Sequence, residues 1–178
     1  MNYGLILQNI DSMEEQYYFF YKTSHPFSQW YKVDFVVNGI TFCCAEQYMM
    51  YYKSLLFNDE ETAAQILKSK NQRLHKELGR NVKNFDENLW RCTSSNIVYE
   101  GNKNKFLQNK EILQKLLDTK GKTIVEASPY DKIWGIGLSE NDPNRFNRSK
   151  WQGENKLGYI LSKLRDNILN GTVPLNPF

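Results

Sequence analysis

Glu46 and Lys53 are the side chains of this 178-residue chain with the clearest capacity for chemistry. Residues 43–57 read CCAEQYMMYYKSLLF, about four helical turns. In a helix the two residues share a face, two turns apart, with Met49 and Met50 between them. A carboxylate and an amine set among Met and Tyr can form a reactive acid–base pair. The same spacing suits a partly buried salt bridge on an amphipathic helix, and by itself the stretch fits that reading better.

Other groups fall where loops meet elements. Ser28, Asp131 and Asn155 are polar residues at such junctions, and Trp134 lies in the run DKIWGIG. Loop aromatics beside Asp and Gly point to a ligand wall. Trp90 lies inside a helical pattern, where core packing explains it equally well. Glu126 alternates with Val125 on a short strand and reads as solvent-facing or capping. Lys105 and Arg165 read as solvated helix charges. The Gly-Ile-Gly at 135–137 is too short for a dinucleotide fingerprint.

The elements that must position these residues follow from local signals. Residues 3–10 read as a strand or a loose arm, and the aromatic run at 17–21 as a buried strand. Pro26 makes 22–30 a loop. Asn38-Gly39 between β-branched runs predicts a hairpin over 33–43. After the 43–57 helix, Asn58 with Glu61 fits a capping box for a helix to about residue 68. A helix over 72–78 is expected to end at Gly79 as a left-handed cap. Asp86 caps a long helix to Phe106, with a break expected at Gly101, and Asn109 caps the next. Residues 123–127 form a short strand, followed by loops at 128–137 and 139–150. Asn155 caps a final helix that Gly171 ends. The expected architecture is one α+β domain over 1–178, mostly helical with a small β-sheet.

Composition bounds the class. Hydrophobic residues make up 40% and aromatics 14%, with 11 Tyr and 10 Phe, enough for a core. A net charge of +3 is too small to mark a nucleic-acid binder by itself. Cys43, Cys44 and Cys92 contain no CxxC pair, and with only His25 and His75 no zinc-ligand cluster is expected at the usual spacing. Reduced, buried thiols suggest an intracellular, cytoplasmic protein. No secretory signal or membrane-length apolar run is evident.

Several runs in order carry a resemblance. They are FSQW at 27–30, AEQYMM at 45–50 with Lys53, LGR at 78–80, Trp90, and Gly101-Asn102 with Lys105, Phe106, Gln108 and Asn109. VEASP at 125–129 with Asp131, IWGIG at 133–137, WQG at 151–153, and Asn155 with Leu157-Gly158 complete the set. The chain resembles the NADAR family, which includes bacterial riboflavin-intermediate N-glycosidases, over about residues 18–170. Gln47 departs from the pattern, since many relatives have His there, so a proton shuttle at that position would be missing.

The resemblance implies cleavage of the bond between ribose and an exocyclic amine of a flat heterocycle. It implies Glu46, Lys53 and Asp131 as catalytic residues, and Ser28, Trp90, Trp134, Gly135 and Asn155 as substrate-binding ones, with no metal and no cofactor. Two routes stay open: water attack on an oxocarbenium-like centre, or ring opening and a Schiff base on Lys53. The preferred substrate is ADP-ribose on guanine in DNA or RNA. The alternatives are phosphoribosylamino-pyrimidine intermediates of riboflavin synthesis, or a non-catalytic reader of ADP-ribose. The polar loop with Asn144, Arg145, Asn147, Arg148 and Lys150 reads either as solvated surface, the usual state of such a loop, or as a contact for a phosphate backbone.

Overall fold

The computed structural model describes residues 15–175; the strand or arm expected at 3–10 lies outside them. Tyr17–Phe20 form β1, of which only Phe20 is fully buried. The Asn38-Gly39 turn joins β2 (Phe35–Val37) to β3 (Ile40–Phe42). Both turn residues have positive φ, 51° and 78°, as a two-residue hairpin requires. Helices α1 (Ala45–Leu56), α2 (Glu60–Leu67), α3 (Gln72–Arg80), α4 (Glu87–Leu107) and α5 (Lys110–Leu117) follow, then β4 (Thr123–Glu126) and α6 (Lys156–Leu169). Two short 3-10 turns interrupt the 139–150 loop. The fold is α+β and mostly helical, but its strands form two separate pairs rather than one sheet. β2 and β3 are antiparallel, while β1 lies parallel to β4.

The core lies where α1, α4 and α6 meet. Met49, Met50, Val98, Phe106, Leu157, Leu161 and Leu164 pack together there with Phe20 and Phe27. Burial of such apolar area is the main stabilising term.

Four local expectations are corrected. Asp59, not Asn58, caps α2: its Oδ1 accepts from Thr62 N–H at 3.1 Å and its Oδ2 from Lys83 N–H at 2.9 Å. Asn58 instead takes a left-handed turn, φ 56°, and Glu61 pairs with Lys83. Gly79 is inside α3, which runs on to Arg80. Its missing Cβ makes room for Met50, whose sulfur lies 1.9 Å from where that atom would be. Gly101 likewise admits the Tyr48 ring and leaves α4 unbroken. Asn109 stands at the cap position of α5, but its amide bonds Asp34 O and Lys105 O instead of capping.

The two helix charges read as solvated are buried. Lys105 is 0% exposed and its Nζ donates to Ser28 O at 2.9 Å; burial pushes its amine down to about 7. Arg165 donates to Thr119 O at 2.9 Å and to Lys122 O at 2.6 Å. Both groups donate to loop carbonyls, fastening the 22–34 and 119–122 segments to helices.

Asn155 is also structural. It is fully buried with φ 51° and makes no cap bond. Its Oδ1 accepts from Glu126 N–H and its Nδ2 donates to Ile124 O, each at 3.0 Å. The side chain therefore completes the open edge of β4, and its expected place in substrate binding is corrected. Asn155→Ala should lower stability by about 1–3 kcal/mol, because it strands two buried backbone groups. Denaturant unfolding checks this; an unchanged midpoint removes the role.

Candidate active site

Glu46 enters through the first turn of α1. Cys44 caps that helix, its sulfur accepting from Gln47 N–H. The Glu46 N–H donates to Gln29 O at 2.9 Å, binding the helix start to the 22–34 loop. Lys53, two turns later, donates from Nζ to Gly79 O at 2.7 Å near the end of α3. Its amine lies 4.2 Å from the Phe85 ring centroid and 5.3 Å from that of Trp90. Among the described residues neither Glu46 nor Lys53 has an ion-pair partner. The salt-bridge reading therefore fails.

Glu126 closes the floor, at the end of β4. Contrary to the solvent-facing expectation, its Oε2 has no contact with water and no hydrogen-bond partner among the described residues. Burial, then the nearby Asp131 and Glu46 charges, push this carboxyl up to about 8, with Lys76 opposing. Burial and Asp131 raise Glu46 to about 7, against the pull of Lys76, Trp30 and Arg80. Burial lowers the Lys53 amine, and Glu46 works in the other direction. The site thus holds two carboxyls raised by burial well above the ordinary carboxylate range and an amine that burial lowers.

Asp131 has a different task within the same wall. Its Oδ1 accepts from Ile133 N–H at 2.9 Å and Trp134 N–H at 2.7 Å, shaping the loop. Backbone bonds from Gln152, Glu154, Asn155, Lys156 and Leu157 then stitch the 132–136 segment to the start of α6. Trp134 is held by this double connection.

The resulting cleft encloses about 630 Å³, within the usual range for a small-molecule site. Ser28, Glu46, Lys53, Trp90, Asp131 and Trp134 all line it. Gly135 and Asn155 do not, and their expected contact with substrate is corrected. Gly135 packs behind the wall, where a Cβ would lie 2.9 Å from Glu126 O and 3.0 Å from Asp131 O. Glu126, Trp30, Lys76, Arg80 and Lys132 line the cleft and were not among the expected site residues. Glu126, Trp30 and Arg80 lay within the runs VEASP, FSQW and LGR; Lys76 gave no sequence signal.

Two further expectations change. Gln47 is buried away from the cleft, accepting from Cys43 N–H and donating to Ile66 O and Ser69 O. The absence of His there removes no group from the cleft. The basic loop is partly committed elsewhere. Arg145 lies over Phe19 and Phe146 and donates to Asp142 O, while Arg148 pairs with Glu15 and lies over Trp151. Arg145 staples the loop down through these contacts, while Arg148 and Lys150 stay exposed.

The model of the NADAR domain family matches residues 18–169. The chain belongs to the NADAR family. It is 46% identical over 147 residues to the N-glycosidase R617 of Acanthamoeba polyphaga mimivirus, covering 80% of this chain and 86% of that protein. A shorter match joins it to the riboflavin biosynthesis protein PYRR of Zea mays, 38% identical over 85 residues, or 48% of this chain and 12% of that one. The NMR structure of Escherichia coli YbiA shares the fold, with a TM-score of 0.74 at 24% identity over 93% of this chain and 92% of that one. No helix among the described residues is long and apolar enough to cross a membrane.

Trp30, Trp90 and Trp134 all line the cleft of this NADAR protein. A stacked ring contributes about 1–3 kcal/mol. Trp134→Ala should therefore weaken binding of the cleft's ligand by roughly tenfold or more, while lowering the melting temperature little. Calorimetric titration beside thermal melting measures both; unchanged affinity excludes Trp134 from the ligand wall.

Proposed function

We propose that this protein is an N-glycosyl hydrolase that removes ADP-ribose from the exocyclic amine of guanine in nucleic acid. The observation that carries the reading is the convergence of Lys53, Glu46 and Glu126 in one cleft, with ionisation properties pushed toward neutrality. Glu126 donates a proton to the departing amine. After the N-ribosylamine opens to its imine, Lys53 in its unprotonated form adds to C1, and the heterocyclic amine leaves with the Glu126 proton. Water activated by Glu46 then hydrolyses the resulting Lys53–sugar imine, which frees the sugar and regenerates the amine. Asp131 shapes the loop, and its charge adds to burial, the larger cause, in raising both glutamates. The N-glycosidase name of the mimiviral relative supports the class of bond.

For the substrate, support comes from the rim. Trp30, Lys76 and Arg80 line both the cleft and an adjoining groove that contains Arg73. A ligand can pass around Trp30 with more than one phosphate beside cations, which suits a diphosphate better than a monophosphate. A second reading, hydrolysis of phosphoribosylamino-pyrimidines, is favoured by the maize relative's name.

The test offers the protein both an oligonucleotide carrying ADP-ribosyl guanine and a phosphoribosylamino-pyrimidine, and measures the released sugars. Faster release of ADP-ribose is expected. Release of ribose 5-phosphate alone would transfer the activity to the second reading. Tight ADP-ribose binding with no release from either would make the protein a reader.

A further inference from the structure

The fold assembles a cluster that sequence spacing did not suggest. Helix α3 brings His75 against the two cysteines that precede α1, and one ligand atom from each of Cys43, Cys44 and His75 lies within 4.8 Å of the others. We propose that these three residues bind a thiophilic divalent cation of the zinc class, which fastens the start of α1 to α3.

The geometry needs little change. Zinc–sulfur bonds of about 2.3 Å and zinc–nitrogen bonds of about 2.0 Å put tetrahedral ligand atoms roughly 3.5–3.8 Å apart. The three groups therefore need to close by about an ångström. The imidazole is oriented for it. His75 Nε2 lies 2.8 Å from Ser69 O, and a carbonyl only accepts, so Nε2 carries the hydrogen. Nδ1 is left with its lone pair 4.0 Å from Cys44 Sγ. A backbone carbonyl fixing the outer nitrogen is the usual support of a metal-bound histidine. Gln47 strengthens that support, since its Nε2 donates to the same Ser69 O at 2.9 Å while its Oε1 takes the Cys43 N–H at 2.8 Å.

Charge selects the ion. Two thiolates and a neutral imidazole balance a dication, so the filled site is neutral and its burial cheap. A monovalent copper ion would leave negative charge buried, and calcium or magnesium would lack oxygen ligands. Cys44 and His75 are fully enclosed, while Cys43 is 8% exposed. Entry and an exchangeable fourth ligand, a water, belong on the Cys43 side. None of the three residues lines the catalytic cleft. The ion's role is structural: Cys44 stands two residues before Glu46, and His75 adjoins Lys76, so the ion sets the distance between two walls of the cleft.

The test uses the full chain, reduced, chelator-stripped and titrated with Co²⁺, then with Zn²⁺. Expected results are thiolate-to-cobalt charge-transfer absorption that saturates at one ion per chain, its loss on adding zinc, and a melting temperature raised by zinc. Cys92, the exposed cysteine, is the control: Cys92→Ser should keep the absorption. Cys44→Ser should lose it yet fold normally, since serine is a good helix cap. Cys43→Ser gives the same readout independently if the first variant does not fold. Absence of the charge-transfer band, its persistence in both cysteine variants, or its dependence on Cys92 overturns the proposal.

Discussion

Glu46→Gln is expected to cut turnover by roughly a hundredfold or more, the usual contribution of a general acid–base group. The fold should survive, because the amide has the same shape and Glu46 serves no ion pair among the described residues. The pH profile of kcat/KM is a second readout. Glu46 must be ionised to act as base, which requires pH above about 7, and Glu126 must keep its proton, which requires pH below about 8. Those two requirements limit the wild-type profile on its acid side near 7 and on its alkaline side near 8, and the need for an unprotonated Lys53, lowered by burial, weights it toward the alkaline part. Glu126→Gln should remove its alkaline limb along with most of the rate. The same values fix the sign of the stability effect. Both carboxyls are raised above the ordinary 4.5, so the native state holds protons that the unfolded chain has released. Their contribution is fully present below pH 4.5 and is lost as pH rises through about 7 and 8. Either glutamine variant should melt higher than wild type at pH 8.5 or so and equally at pH 4 or so. Near-wild-type turnover for Glu46→Gln would remove that residue from the chemistry.

Lys53→Arg is expected to lower turnover by about a thousandfold or more, the scale seen when a nucleophile is deleted. Arginine keeps the positive charge and can still reach Gly79 O, but it cannot form an imine. Borohydride added during turnover should attach the sugar covalently to wild type, with the added mass on the peptide containing Lys53. The arginine variant should show no adduct. A wild-type enzyme that turns over without any trapped species would instead favour direct attack by water, with Glu46 as its base. Lys53→Met separates charge from packing, since its side chain fills the space beside Phe85 and Trp90 without an amine.

That Glu46 and Lys53 share one face was legible because one helix carries both, and helical spacing is a property of sequence. The Asn38-Gly39 hairpin and the Asp86 cap were legible for the same reason: each depends on neighbours in the chain. Glu126 was misread because its environment is made by others. Asp131 and Glu46 surround it only after β4 has packed beside β1, and strand alternation carries no trace of that. Lys105 and Arg165 misled in the same way, since long charged side chains on helices are normally solvated and here each finds a buried carbonyl from a distant loop. Gly79 was taken for a helix end because glycine is common there; the space needed by Met50 came from another helix. The Cys43, Cys44 and His75 grouping depends on α3 folding back over α1, which spacing rules for metal ligands do not cover.

The parallel pairing of β1 with β4 joins Tyr17 to Thr123, about a hundred residues later in the chain. On a ribosome adding about 5–20 residues per second, the first strand waits roughly 5–20 s for its partner to be made. During that interval the growing chain already contains the α1 helix with Glu46 and Lys53, while the acid on β4 and the wall bearing Trp134 do not yet exist. Competence for the proposed reaction would therefore arrive late in synthesis and all at once, and shortened translation products should be inert. The waiting YYFF segment is also an unpaired, aromatic strand edge, the kind of surface that chaperones cover in nascent chains. Yield in cells should accordingly respond more to chaperone supply than the stability of the finished protein would suggest.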